Sequence, residues 1–151
     1  MSSRSVPRFG IVVSCFNKEL TSKLHQGALH VFKRHRIPAS KIETVWVPGA
    51  FEIPVVIHRL ALSGRFQALV ALGAVVQGET HHYDAICREV ARGIAASART
   101  TGVPVAFGVI MAKRYSDAKE RSGGRWNLGV EAAEVAVEMS RVMRGLRAKT
   151  K

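Results

Sequence analysis

Cysteine, acidic residues and long apolar runs are all scarce in this sequence, and each shortage excludes a class of protein. The two cysteines among 151 residues, Cys15 and Cys87, are too few for a disulfide scaffold and lack the spacing of metal ligands. We therefore expect two buried thiols in a reducing cytoplasm. No apolar run reaches the ~20 residues that span a bilayer, and residues 1–8 lack the apolar core of a secretion signal.

Sequence motifs for nucleotides and for covalent catalysis are missing as well. No GxGxxG follows a strand-like run, no Walker A sequence occurs, and Gly78-Glu79-Thr80 is not a nucleophile elbow. Neither cysteine stands beside an obvious basic partner that would activate it. These absences disfavour dinucleotide-dependent, ATP-dependent and covalent mechanisms.

Acidic residues number 11 against 23 lysines and arginines, which leaves a formal net charge of +12. Such an excess can attract nucleic acid, anionic membranes or anionic substrates. The densest basic groups, however, stand where two helices are expected to end, and the helix dipole favours cations there: Lys33, Arg34 and Arg36, then Arg141, Arg144, Arg147, Lys149 and Lys151. Nucleic-acid binding is therefore kept as a minor alternative, because the interleaved aromatics of a stacking platform are lacking.

Short apolar runs alternate with amphipathic segments along the chain. The apolar runs are expected to be buried strands at 9–14, 42–47, 68–76 and 103–111. Helices are expected at 18–35, 51–62, 82–100, 115–121 and 128–146. Because parallel strands need helical crossovers, the pattern predicts one three-layer α/β domain over residues 1–151 with a four-stranded parallel sheet. Right-handed crossovers favour the flavodoxin-like strand order 2-1-3-4.

Three finer expectations concern the ends of the chain and its last helix. Residues 1–8 are expected to form an N-terminal arm, and residues 147–151 a basic tail. The helical spacing of Ala132, Val135, Met139 and Val142 predicts that these side chains point inward from the last helix.

Active sites of open α/β sheets lie beyond the carboxyl ends of the strands, and the loop after the third strand is the richest there. Gly78 leaves room for a ligand, and Thr80 can cap the next helix or bind an oxyanion. His81 and His82 offer acid–base chemistry, because imidazole titrates near neutral pH. A capped helix with two solvated histidines stays open as the alternative. A zinc site lacks a third ligand.

The other loops offer single candidates, each with a structural alternative. Phe16 can stack on a flat ring, and Asn17 is expected to cap the first helix. Glu52 opens the second helix, where a carboxylate is favoured in any case. Arg121 can clamp a phosphate or remain a solvated helix-end arginine, and Phe107 is most simply a core residue.

Five sequence blocks, taken together and in order, resemble the lumazine synthase family. They are FN at 16–17, VPGAFEIP at 47–54, LGAVVQGETHHYDAI at 72–86, TGVPVAFGV at 101–109 and AKERSGG at 118–124. The similarity extends from about residue 9 to residue 146, and the VPGAFEIP and GETHHYD blocks are its most specific parts. The resemblance implies a flavodoxin-like fold, assemblies built from pentamers, and active sites between neighbouring subunits.

The resemblance also implies a role for each loop. Residues for the pyrimidine and its ribityl chain would be Phe16, Asn17, Gly49, Ala50, Phe51, Glu52, Ala74, Val75, Val76 and Phe107. Phosphate would be bound by Glu79, Thr80 and Arg121, and His82 would move protons. Phe107 and Arg121 would come from the adjacent subunit. The reaction would join 5-amino-6-(D-ribitylamino)uracil to 3,4-dihydroxy-2-butanone 4-phosphate, in riboflavin biosynthesis, with neither metal nor cofactor.

The chain departs from the family pattern around residues 123–128. Leu128 stands where many relatives carry a basic residue, and the preceding connection is one residue shorter and carries Trp126. Arg125 is a candidate replacement for the missing cation. No long insertion blocks shell formation, so a sixty-subunit shell is expected ahead of a free pentamer, with riboflavin synthase a candidate partner. A non-catalytic flavin- or lumazine-binding protein of the same fold stays open as the alternative function.

Overall fold

The computed structural model describes residues 5–149, in which the predicted strands form one parallel sheet. The strands are β1 (Phe9–Ser14), β2 (Ile42–Val47), β3 (Ala68–Val76) and β4 (Val105–Ala112). Their order is β2-β1-β3-β4, and every neighbouring pair is parallel. The predicted fold class and strand order are therefore confirmed.

Two layers of helices cover the sheet within the described residues: α1 (Lys18–Arg34), α2 (Ile53–Leu62), α3 (Tyr83–Thr101), α4 (Tyr115–Ser122) and α5 (Leu128–Lys149). Side chains of α1, α4 and α5 pack on one face of the sheet, and those of α2 and α3 on the other. Every residue of β1 and β3 is buried. This double covering explains why their sequences are almost wholly apolar.

The chain ends and some element boundaries differ from the expectation. Residues 1–4 of the predicted arm and 150–151 of the predicted tail lie outside the described residues, while residues 147–149 belong to the last turns of α5. The segment predicted as helix from 51 begins with a 3₁₀ turn, Ala50–Glu52. β4 starts two residues late, because Gly102 ends α3 with φ 75° and the N–H of Val103 donates to Thr101 Oγ1.

The buried face of α5 was predicted wrongly in part. Val135 and Val142 are 51% and 42% exposed, although Ala132 is buried as expected. The buried side of the helix consists of small residues and one valine: Gly129, Ala132, Ala133, Ala136, Val137 and Ser140. A β-carbon at Gly129 would overlap the carbonyl oxygen of Leu24, so α5 lies directly against the backbone of α1. Because α5 packs closely against α1, its small residues face inward and its larger apolar residues are exposed.

Candidate active site

The loops after β1 and β2 are joined side by side at the carboxyl edge of the sheet. The N–H of Cys15 donates to the carbonyl of Val47 at 2.7 Å, and the N–H of Phe16 donates to Pro48 at 2.9 Å. These two bonds continue the β1–β2 ladder past the ends of both strands. They bring the FN and VPGAFEIP blocks together against the end of β3.

A pocket of about 310 Å³ opens where these loops meet. It is lined by Phe16, Gly49, Ala50, Phe51, Glu52, Ala74, Val75, Val76, Glu79, Thr80 and Ile86. Ten of these eleven residues were candidates from the sequence, and Ile86 is the addition. The volume lies at the lower end of the ~300–1,000 Å³ that small-molecule sites occupy.

Aromatic rings and one carboxylate form the loop side of this pocket. Phe16 and Phe51 are 58% and 61% exposed, which is unusual for phenylalanine and provides flat apolar surface for a ring. A β-carbon at Gly49 would lie 3.8 Å from both carboxylate oxygens of Glu52, so this carboxylate is close to the Gly49 backbone. The N–H of Glu52 donates to the Gly49 carbonyl at 3.1 Å, which holds the turn. Glu52 is thus placed to accept hydrogen bonds from hydroxyl groups.

The end of β3 supplies unpaired backbone to the same pocket. β1 pairs with β3 only as far as Leu72, whereas β4 pairs with β3 to its last residue, Val76. The backbone of residues 74–76 therefore has no ladder partner on the β1 side. Strand groups in this state need hydrogen bonds from side chains, water or a ligand.

Asn17 does not cap α1 with its side chain, contrary to the expectation. It stands at the N-cap position with φ 61°, in the left-handed region. Its Nδ2 donates to Glu79 Oε2 at 2.9 Å and lies 3.4 Å from the carbonyl oxygen of Ala74. The left-handed turn, which asparagine tolerates better than most residues, therefore ties the loop after β1 to the loop after β3.

Glu79 also belongs to a small cluster of polar groups that sequence reasoning missed. Tyr115, at the start of α4, lies close to the carboxylate of Glu19. Burial raises the pKa of Tyr115, and the carboxylates of Glu19 and Glu79 raise it further. No local pattern predicts this cluster, because its members come from α1, α4 and the loop after β3.

His82 adjoins the pocket without lining it. The N–H of His82 donates to Thr80 Oγ1 at 3.1 Å, so Thr80 orders the turn before α3, while His82 itself holds the N-cap position. The imidazole is exposed and has no hydrogen-bond partner among residues 5–149. It lines a polar depression with His81 and Arg88, and Thr80 belongs to both this depression and the pocket.

Phe107 and Arg121 do not reach the pocket within the chain. Phe107 is 39% exposed on the edge strand β4, so its interpretation as a core residue was wrong. Arg121 lines a separate depression with Lys113 and Leu128, and its guanidinium donates to Glu131 Oε2 at 2.8 Å. Both residues thus lie on the β4–α5 side of the molecule.

Asn127 anchors the shortened connection and was not singled out from the sequence. It is 7% exposed, and its Nδ2 donates to the carbonyls of Lys23 and Ser122, both at 3.0 Å. Its Oδ1 accepts the N–H of Val130, as an N-cap side chain does. An asparagine directly before a helical period is the sequence signal that could have revealed it.

Cysteine burial was predicted wrongly for one of the two thiols. Cys15 is exposed, whereas Cys87 is partly buried beside Tyr83, and burial raises the pKa of the Cys87 thiol. Within residues 5–149 no three His, Cys, Asp or Glu side chains form a group that could hold a metal ion. No helix in this range is long and apolar enough to cross a membrane.

A comparison with protein families agrees with this geometry. The family model described as 6,7-dimethyl-8-ribityllumazine synthase matches residues 6–144. The match includes all four strands and every loop that builds the pocket. The chain therefore belongs to the 6,7-dimethyl-8-ribityllumazine synthase family, whose members are transferases of riboflavin biosynthesis.

Proposed function

We propose that the chain condenses 5-amino-6-(D-ribitylamino)uracil with 3,4-dihydroxy-2-butanone 4-phosphate to give 6,7-dimethyl-8-ribityllumazine. One observation carries the proposal: all eleven pocket-lining residues lie within the blocks that resemble lumazine synthase. Those blocks are far apart in sequence and meet at one edge of the sheet. The proposal also rests on membership of the family.

The pyrimidine and its ribityl chain are proposed to occupy the apolar pocket. Phe16 offers a ring face for stacking. The β1 side of residues 74–76, which has no strand partner, offers backbone groups to the edge of a pyrimidinedione. Glu52, beside the Gly49 backbone, accepts hydrogen bonds from ribityl hydroxyls. These contacts place the reacting amine of the pyrimidine towards the loop after β3.

The phosphate is proposed to bind at the start of α3. Backbone N–H groups there and the Thr80 hydroxyl favour an anion. Glu79 contributes through its backbone N–H. Its carboxylate would repel phosphate, and this carboxylate accepts a hydrogen bond from the Asn17 amide. Arg121 of a neighbouring subunit completes the clamp after giving up or sharing its contact with Glu131.

Proton transfer is the chemistry that the chain must supply. The amine of the pyrimidine attacks the ketone, water leaves, and an imine forms. Inorganic phosphate is then eliminated, and the second amine closes the ring with loss of another water. His82 takes and returns protons in these steps. Holding both reactants in one pocket supplies a further part of the rate.

Two exposed apolar surfaces support a ring-shaped assembly with shared sites. One adjoins the pocket and includes Phe16, Phe51 and Val55; the other, on the β4–α5 side, includes Phe107, Trp126, Val135, Val142 and Leu146. Different surfaces that meet head to tail generate a ring when the rotation between neighbouring subunits closes. We propose pentamers in which Phe107 and Arg121 complete a neighbour's pocket, and a sixty-subunit shell ahead of a free pentamer. The protein would act in the cytoplasm and hand its product to riboflavin synthase.

A turnover assay tests the proposed reaction. Purified protein is mixed with both substrates, and lumazine absorbance and phosphate release are followed against a control without protein. We expect His82→Ala to lower kcat by about 100-fold, which is typical of lost acid–base help. Arg121→Ala should chiefly raise the KM for the phosphorylated substrate.

His30→Ala is the matched histidine control, because His30 is exposed on α1 and makes no contribution to the pocket. It should leave turnover unchanged. Binding of the pyrimidine without any acceleration would contradict the proposal and indicate a non-catalytic binding protein of the same fold. A stable monomer in light scattering would contradict the shared site.

A further inference from the structure

Helices α1 and α5 run parallel, so both end at the same edge of the molecule. Near their beginnings, Asn127 Nδ2 donates to the carbonyl of Lys23. Further along, Glu134 of α5 makes an ion pair with Arg34 and a hydrogen bond with the His35 ring, at the end of α1. The shared edge is the amino edge of the sheet, opposite the pocket.

This arrangement gathers basic residues that are far apart in the sequence. We call the resulting surface the basic pole; it consists of Arg8, Lys33, Arg34, Arg36, Lys41, Arg141, Arg144, Arg147 and Lys149. Arg8 precedes β1 at this edge, and its guanidinium donates to the carbonyl of Ser40 at 3.4 Å. Each helix end alone is explained by the helix dipole, but the dipole does not explain their convergence.

Several of these cations, all of them near the end of α1, have no carboxylate partner in the described part of the chain. Glu134 pairs with Arg34, and Glu138 lies 3.8 Å from Arg141. Lys33, Arg36 and Lys41 have no ion pair within residues 5–149. The pKa of His35 is lowered by burial and then by Arg141 and Arg34, even though a carboxylate is in contact with its ring. Arg141 of α5 and Arg34 of α1 are thus both close enough to His35 to act on its charge, which places the ends of the two basic clusters side by side.

The basic pole is distant from the pocket of its own chain. β1 has six residues and so separates the two edges of the sheet by about 20 Å, at about 3.3 Å per residue. The phosphorylated substrate is proposed to bind at the opposite edge, beside Thr80. A concentration of positive charge at this distance points to a second, larger anionic partner.

We propose that the basic pole binds the phosphate backbone of double-stranded nucleic acid without reading its base sequence. Arg141, Arg144 and Arg147 recur every three residues, about 4.5 Å apart along α5, and the other cations extend the surface towards β1 and β2. The exposed aromatic side chains of residues 5–149 all belong to other surfaces: Phe16, Trp46, Phe51, Phe107, Tyr115 and Trp126. The pole therefore lacks stacking groups for single strands and aromatic anchors for a membrane interface.

Fluorescence anisotropy with a labelled duplex of about 20 base pairs tests whether the basic pole binds double-stranded nucleic acid. The wild-type assembly should bind with log K falling against log salt with a slope of about −4, since each phosphate contact contributes about −0.9. The double variant Lys33→Gln/Arg36→Gln should reduce the magnitude of that slope by about two and weaken binding at least about tenfold at low salt.

A control with the same change in net charge is Arg92→Gln/Lys119→Gln, on α3 and α4. It should retain the wild-type slope. If both double variants lost the same amount of duplex affinity, the proposal would be overturned and the binding would be due to net charge alone. A preference for vesicles containing phosphatidylserine, or for single strands, over the duplex would also overturn the proposal, as would the absence of salt-dependent binding.

Both double variants should keep wild-type turnover, which also reports that they are folded. Duplex binding thus reports on the amino edge, and lumazine formation reports separately on the carboxyl edge. A protein that binds duplex but forms no lumazine would refute the proposed function and leave this inference standing.

Discussion

The two edges of the sheet present opposite chemistry. The carboxyl edge exposes Phe16 and Phe51 around an apolar pocket and leaves residues 74–76 without a strand partner on the β1 side. The amino edge exposes cations at the ends of two parallel helices and has no comparable aromatic surface in the described part of the chain. Because parallel strands all point one way, each end of the sheet collects a different set of loops, and one small domain can present two unlike surfaces.

The largest expected effect is on stability and comes from disturbing the packing of α5 against α1. The amino edge depends on this packing, because both helices end there. Gly129→Ala forces a β-carbon against the backbone of Leu24 and should lower the free energy of unfolding by about 3 kcal/mol. Gly145→Ala is the matched control on the same helix, because a β-carbon there meets nothing within 4 Å. It should raise stability by up to about 1 kcal/mol through helix propensity. Urea unfolding of both variants would distinguish them, and equal stabilities would contradict the close packing.

A smaller effect is expected at the carboxyl edge, where Asn17 joins two loops. Asn17→Gly keeps the left-handed backbone and removes the bonds to Glu79 and Ala74. Losing about 1 kcal/mol of hydrogen bonding should raise the KM for the phosphorylated substrate about fivefold, with kcat nearly unchanged. Steady-state kinetics with each substrate varied in turn would measure this. An equal rise in KM for the pyrimidine would mean that Asn17 contacts substrate directly, not through the loop.

Asn17→Ala separates backbone strain from the lost bonds. It removes the same side-chain contacts and also penalises φ 61° by about 1 kcal/mol. Its KM should match that of Asn17→Gly, while its stability should be lower. Duplex binding should be unaffected in both variants, because Asn17 lies at the opposite edge from the basic pole.

The smallest expected effect is the pH dependence of stability that comes from His35 at the amino edge. The folded pKa of His35 is lowered, so the unfolded chain binds a proton more readily than the folded protein does. The stability contributed by neutral His35 is present above its ordinary pKa of 6.5 and is lost as pH falls through the folded value. The unfolding free energy should therefore decline on acidification below pH 6.5, and His35→Asn should reduce the decline.

His25 must be tested beside His35, because burial lowers its pKa as well. His25 bonds to Thr44 and contacts the Trp46 ring, so it belongs to α1 and β2 and not to the basic pole. The double variant should remove more of the acid dependence than either single variant. An unchanged decline in all three would show that neither histidine contributes to it.

Much of the architecture could be predicted because it depends on local pattern. Continuous apolar runs indicated strands covered on both faces, and the alternation with helices required parallel pairing. The loops that build the pocket could be predicted because they stand at strand ends, which meet at one edge in any parallel sheet, whereas most of the individual pocket residues came from the resemblance to the family. Boundaries near residues 51 and 103 were less accurate, since a 3₁₀ turn and a left-handed helix end depend on a few backbone angles.

By itself, the sequence determined the strand order, the family and most of the pocket wall. Tertiary structure alone decided the contact between Asn17 and Glu79, the buried face of α5 and the convergence of basic residues at one edge. Each of these joins segments distant in the chain, and each depends on how closely two helices or two loops approach. That approach is governed by the space left at Gly129, by the angle at Asn17 and by the parallel course of α1 and α5, none of which appears in local periodicity.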